Sequence, residues 1–219
     1  MRKLRFRSIL VKMQKKKKNS GRLTAAARRA QLVEVGREVF AERGYGASSV
    51  EEIAARANVS KPILYDHFGG KEGLYAVVLD RELEYIVSHI TEAVSSGAPR
   101  TRIEQATLAY LRYVQERPLG FAVLLRDAPR QQSSGELPAL MYDLAGRISE
   151  IFVEQFGKAG YDPESASIYA HALVGMVAFV GQWWTDSRNP SSAEDAASHI
   201  AALAWMGLRH LPKRPGLLK

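Results

Sequence analysis

Two helix-start signals, one at Ser48 or Ser49 and one at Ser60, stand so close that only a short helix and a tight turn fit between them. Ser48-x-x-Glu51 and Ser49-x-x-Glu52 both have capping-box spacing, so the start is well marked while its register stays open. Asn58 interrupts that helix, asparagine being one of the few non-glycine residues comfortable at positive φ. Ser60 then caps the next helix, with Pro62 in its first turn, where a missing N–H costs little. This helix runs through Ile63, Leu64, Tyr65 and Phe68 and stops at Gly69-Gly70. Ile53 and Ala57 have to pack against Val59 and Leu64, and Ala54 is small enough for a close crossing. The expectation is a helix-turn-helix over residues 48–68 whose second helix turns its N-terminal side chains outward, as docking in a major groove requires.

The rest is patterned as helix too. From Thr24 to Arg43, Leu32, Val35, Val39 and Phe40 recur at three- and four-residue spacing, and Gly44-Tyr45-Gly46 ends the run. A long helix is expected from Lys71 to about Ser96, broken by Gly97-Ala98-Pro99, and another from Thr101 to Glu116. Pro118 restarts the chain into Phe121 to Arg126. Asp127 to Glu136 reads as the clearest loop, and helix resumes from Leu140 to Phe156. Asp162-Pro163-Glu164 combines a cap, a first-turn proline and an acid at the positive end of the dipole. Asn189-Pro190 breaks the helix that follows, and Ser191-x-x-Glu194 caps a last one ending near His210. No segment sustains period-two alternation, so the fold class is all-α, with about nine helices.

Charge is unevenly placed. The net charge is +8, yet residues 1–33 hold twelve Lys or Arg and no acid, leaving 19 basic against 23 acidic groups elsewhere. Such an arm suits a polyanion, because each neutralised phosphate releases condensed counterions; the plainer alternatives are a solvated tail or a true start at Met13. Its apolar run Ile9-Leu10-Val11 is too short for a secretory signal. The uncharged stretch from Ser165 to Thr185 raises the question of a membrane span, but its polar residues and its cap favour a fully buried helix and no membrane. With no cysteine, disulfides and thiolate metal sites are excluded and a cytoplasmic setting fits.

Ser49-Val50-x-x-Ile53-Ala54-x-x-Ala57-x-Val59-Ser60-Lys61-Pro62-x-Leu64-Tyr65-x-His67-Phe68-x-x-Lys71-Glu72-x-Leu74 closely resembles the signature of TetR/AcrR-family repressors, as does the preceding Phe40-Ala41-Glu42-Arg43-Gly44-Tyr45. The charge placement sets off a basic, disordered arm at 1–21; the resemblance implies a three-helix DNA-binding head at 22–70 and a helical ligand-binding and dimerisation domain at 71–212, followed by a tail at 213–219. It further implies that Lys61, Pro62, Ile63 and Tyr65 meet bases and sugar-phosphate, and that Ser49, Ser60, His67 and Lys71 contact phosphate. The chemistry agrees: Tyr and His reach phosphate, and Lys61 is the one cation on that face able to donate to a guanine edge. Leu64 and Phe68 are read as core, and Asp66 as pointing away from the phosphates.

For the second half, the resemblance implies a small-molecule pocket between helices. Its candidate wall is Tyr110, Tyr113, Phe121, Leu125, Tyr142, Ile148, Phe152, Met176, Phe179 and Trp183, although an aromatic or Met at helical spacing is more often core. Many aromatics with few charges suit a large apolar ligand. Gly160-Tyr161-Asp162-Pro163, Leu173-Val174-Gly175-Met176, Trp184 and Ala204-Trp205-x-Gly207-Leu208 are similar to stretches of acyl-CoA-responsive regulators of fatty-acid synthesis within this family, which implies an acyl chain or acyl-CoA. Small residues Ala197, Ala201, Ala204 and Gly207 suit a homodimer built on helices 164–185 and 192–210, gripping a palindromic double-stranded operator. The expected role is a ligand-controlled transcriptional regulator, a repressor by family default, with no cofactor and no metal. The alternative is a helical lipid-binding or protein-interaction module with a vestigial DNA head. An enzyme is not expected: Gly69-Gly70-Lys71-Glu72 lacks the spacing and hydroxyl of a phosphate loop, and no Glu-x-x-His pair is present for a di-iron site.

Overall fold

The computed structural model describes residues 23–125, 136–186, 191–213 and 215–216. Among them stand nine α-helices: α1 (Ala25–Ala47), α2 (Val50–Arg56), α3 (Lys61–Phe68), α4 (Lys71–Ala93), α5 (Pro99–Glu116), α6 (Pro118–Leu125), α7 (Glu136–Ala159), α8 (Ala166–Asp186) and α9 (Ala193–Arg209). A 3-10 turn at Pro163–Ser165 precedes α8, and no strand occurs among the described residues.

Local signals set most boundaries. Thr24 Oγ1 accepts from Ala27 N at 3.2 Å and opens α1. Gly44, at φ 77° and ψ 167°, kinks α1 where the sequence predicts its end, and the helix continues to Ala47. That φ is strained for any residue with a Cβ. Of the two open registers for α2 the structure takes Ser49, whose Oγ accepts from Glu52 N at 3.1 Å. Ser48 is buried and donates instead to the Tyr45 carbonyl at 2.7 Å. Asn58 holds the turn at φ 55°.

Other boundaries move. Pro99 is the first residue of α5, not a break ahead of it, and Pro118, where the chain restarts, is the first residue of α6, since the fixed φ of proline suits a first helical position. Pro138 stands in the opening turn of α7, where its missing N–H costs little, and the helix begins at Glu136, ahead of the expected Leu140. Asp162 does cap its segment, accepting from Glu164 N at 3.0 Å, but the first turn is 3-10 and α-geometry starts only at Ala166. The last cap is Ser192, one residue beyond Ser191, with Oγ accepting from Asp195 N at 3.0 Å. The arm at 1–21, the loop at 127–135, the Asn189-Pro190 break and residues 217–219 lie outside the described residues.

Helix α4 is the spine. Leu74, Tyr75, Val78, Leu79, Glu82 and Ile86 form its buried face, and it touches α1 and α3 on one side and α5 and α6 on the other. Head and body thus share one rod. Helix α1 also leans on α6, α9 lies along α5, and α7 pairs with α8. The uncharged helix is not fully buried: within the chain the span Pro163–Trp184 is 22% buried. Its neighbours α5 and α7 cover one side, and Ile168 and Phe179 on the other are 68% and 73% exposed. By length and composition the same span is apolar enough to cross a membrane. Hydropathy counts apolar residues without saying which side of a helix they occupy.

Candidate nucleic-acid interface

Helix α3 is anchored through one side chain and offers several others. Leu64 is fully buried beside Ile53 in the common core, which fixes the rotation of the helix. With that face inward, Lys61, Pro62, Tyr65 and Asp66 are exposed, Ile63 half-buried, and Phe68 packed against the core. Ser60 occupies the N-cap position, yet its hydroxyl makes no capping bond. Ser49 already spends its oxygen on Glu52 N.

Two of the cations read from sequence have partners. The Lys61 ammonium pairs with Glu51 across the turn. That contact, chiefly as a hydrogen bond, holds the Glu51 carboxyl below its ordinary range. Lys71 donates to the carbonyls of Tyr45 at 2.9 Å and Ser48 at 3.0 Å and lies over the Tyr45 ring at 4.2 Å. It thus satisfies carbonyls at the end of α1, where a helix leaves acceptors unmet. His67 is half-buried, and its carbonyl accepts from Arg29 of α1.

Sequence reasoning missed the residues that seat the motif. Arg29 donates to the end of α3 and stacks its guanidinium on Phe68 at 4.3 Å, while Gln31 Nε2 donates to the Ala57 carbonyl at 3.1 Å. These ties make α1, α2 and α3 one body. They join residues 26 to 38 positions apart, beyond the reach of local pattern.

The ten candidate wall residues divide. Tyr110, Tyr113 and Phe121 are buried together, with Phe121 edge-on to Tyr110 at 6.2 Å and to Tyr113 at 6.4 Å. Burial pushes both tyrosine hydroxyls well above their ordinary pKa, Glu82 adding to the effect on Tyr113. Met176 packs on that core, and Ile148 and Phe152 are half-buried, Phe152 stacked on Phe156 at 5.7 Å. Leu125, Tyr142, Phe179 and Trp183 are exposed. Those four do not wall an interior in this chain, because helical spacing defines a face but not whether it turns inward. A cleft of about 300 Å³ lies elsewhere, between α4 and α5, lined by Tyr85, His89, Glu92, Ala93, Ala109, Arg112, Tyr113 and Glu116. Only Tyr113 belongs to both sets. Among the described residues no three His, Asp or Glu side chains gather as a metal site.

Comparison with known proteins matches residues 32–78 to "Bacterial regulatory proteins, tetR family" and residues 89–217 to "Tetracyclin repressor-like, C-terminal domain". The chain is 28% identical over 198 residues to the HTH-type transcriptional activator FasR of Mycolicibacterium smegmatis, covering 89% of each chain. It is 36% identical over 77 residues to the HTH-type transcriptional repressor Rv3405c of Mycobacterium tuberculosis, covering 35% of this chain and 39% of that one. A solved TetR-like transcriptional regulator from Rhodococcus sp. RHA1 superposes with a TM-score of 0.71 at 29% identity, covering 87% of this chain and 100% of that one.

Proposed function

The chain belongs to the TetR family of bacterial regulatory proteins, and from that premise we propose that it grips a palindromic operator as a homodimer, under control of an apolar effector. It is a helix-turn-helix transcriptional regulator of that family. The observation that carries the operator reading is the presentation of α3: Leu64 is locked in the core while Lys61, Pro62 and Tyr65 stand in solvent. Lys61, Pro62, Ile63 and Tyr65 are the proposed groove contacts, with Ser60 and His67 reaching phosphate. Ser49 and Lys71 serve the interface by shaping it, the first as the α2 cap and the second by tying α1 to α4.

The apolar outer face of α8 and α9 supports the dimer. Ile168, Ala172, Gly175 and Phe179 follow one side of α8, and Leu203 and Met206 are exposed on α9. Two copies meeting there make a four-helix bundle, with Ala172 and Gly175 small enough for close approach; Ala197, Ala201 and Ala204, expected from sequence to serve this, are instead buried within the chain on the inner side of α9. An acyl chain or acyl-CoA is the proposed effector class, supported by the apolar interior around Tyr110, Phe121 and Met176. Calorimetry that found no binding of long acyl chains but clear binding of a polar metabolite would overturn that part. Relatives carry the names of activators and repressors alike. Repression is the proposed sign, because blocking a promoter needs nothing beyond operator occupancy. This role sets the chain in the cytoplasm.

A salt titration tests the reading. Each neutralised phosphate contributes a slope of about −0.9 to log affinity against log salt, so a steep fall marks a DNA grip. A flat line, with binding to lipid vesicles instead, would return the chain to the interaction-module alternative.

A further inference from the structure

Glu82 sits midway along α4 and is 2% exposed. Its Oε1 accepts from Arg117 Nη2 at 2.6 Å and Arg37 Nη1 at 3.2 Å, and its Oε2 accepts from Arg117 Nε at 2.9 Å and the Tyr113 hydroxyl at 3.2 Å. Arg37 belongs to α1, Tyr113 to α5, and Arg117 forms the corner between α5 and α6. One carboxylate therefore joins the DNA head, the spine and the body. The corner is shaped for it: a Cβ on Gly120 would stand 2.0 Å from Glu82 Oε2, so any side chain there would expel the carboxylate. Arg117 is further fixed by lying over the Tyr85 ring at 4.4 Å.

A buried ion network is a poor device for stability alone, since well-packed apolar residues often do as well. What it supplies is geometry. Apolar faces can slide against each other, whereas the two-bond Arg117–carboxylate fork fixes distance and angle. Helix α1 carries the recognition helix with it through Arg29 and Gln31. We propose that Glu82 is a positioning residue for operator recognition: the Arg37–Glu82–Arg117 bridge sets the angle at which the head leaves the body, and hence the separation of the two heads in the dimer. This rests on the dimeric operator-binding reading given above.

Arg37 is the residue to change. Removing Glu82 would strand two guanidiniums, whereas Arg37→Met takes α1 out of the bridge and leaves Glu82 held by Arg117 and Tyr113. The chain contains no cysteine, so Ala55→Cys, at an exposed site on α2, gives one spin label per head. Pulsed dipolar measurement on the labelled dimer should show a narrow head-to-head distribution. Arg37→Met should widen it at least about two-fold, and Arg37→Lys, which keeps the charge, should largely restore it. In parallel, preference for the selected operator over one with an extra central base pair should fall about ten-fold in Arg37→Met, with the dimer and the thermal midpoint retained. Unchanged distances, equal widening in Arg37→Lys, or loss of the folded circular-dichroism signal in Arg37→Met overturns the proposal. Absence of dipolar coupling in the parent means no dimer, which overturns the underlying reading and this inference with it.

Discussion

Ser49 and Ser60 look alike in the sequence and differ in the fold, and that difference is measurable. Ser49 caps α2 through Glu52 N, so Ser49→Ala should cost about 1 kcal/mol in chemical denaturation. Ser60 makes no capping bond, so Ser60→Ala should leave stability nearly unchanged while lowering operator affinity. Equal losses of stability in the two variants would contradict the assignment. Glu82 gives a pH signature. Burial alone would raise its carboxyl, but hydrogen bonding and charge from Arg117, then Arg37, outweigh it and hold the group below its ordinary value of 4.5. The folded value lies under the unfolded one, so this contribution is present above about pH 4.5 and is lost as the pH falls through the folded value. Arg117→Met should cost about 3 kcal/mol at neutral pH, by breaking a buried pair, and should flatten the acid limb of stability. An unchanged acid limb would show that the network carries no linkage.

Among the elements, legibility follows distance along the chain. The cap at Asp162, the Asn58 turn and the all-α class depend on residues within a turn of one another, and they are readable from sequence. The choice between Ser48 and Ser49 is not, because it turns on Ser48 finding the Tyr45 carbonyl once α1 has kinked at Gly44. Sequence places the openings of α5 and α7 late: Pro99 reads as a break until the helix behind it is seen, and the periodic run from Leu140 does not show the turn that already begins at Glu136. The ties of Arg29, Gln31 and Lys71 are long-range and leave no local pattern. The basic arm offers a test at this scale: Arg29 contacts the end of α3, so the N-terminal end of α1 lies close to the recognition helix. Removing residues 2–21 should weaken binding to all sequences alike and make the salt slope shallower by about 0.9 for each phosphate the arm neutralises. An unchanged slope would leave the arm without a DNA role.

For the molecule as a whole, the apolar side of α8 and α9 explains why a chain with a sound core still exposes Ile168, Phe179, Leu203 and Met206. Phe179→Asp would bury a charge in the proposed bundle and should yield a monomer by light scattering, with the helical signal kept. A dimer that persisted would move the interface elsewhere. Of the ten candidate wall residues only Tyr110, Tyr113 and Phe121 are buried together, because which helix side faces inward is decided by packing over the whole body. In the proposed dimer two α3 helices read one palindrome. Selection from random duplexes, repeated on the winning sequence with Tyr65→Ala, tests it most directly. An enriched palindrome that Tyr65→Ala binds at least about ten-fold more weakly is expected. A folded dimer that enriches no sequence, or a palindrome bound equally well without the Tyr65 ring, would contradict it.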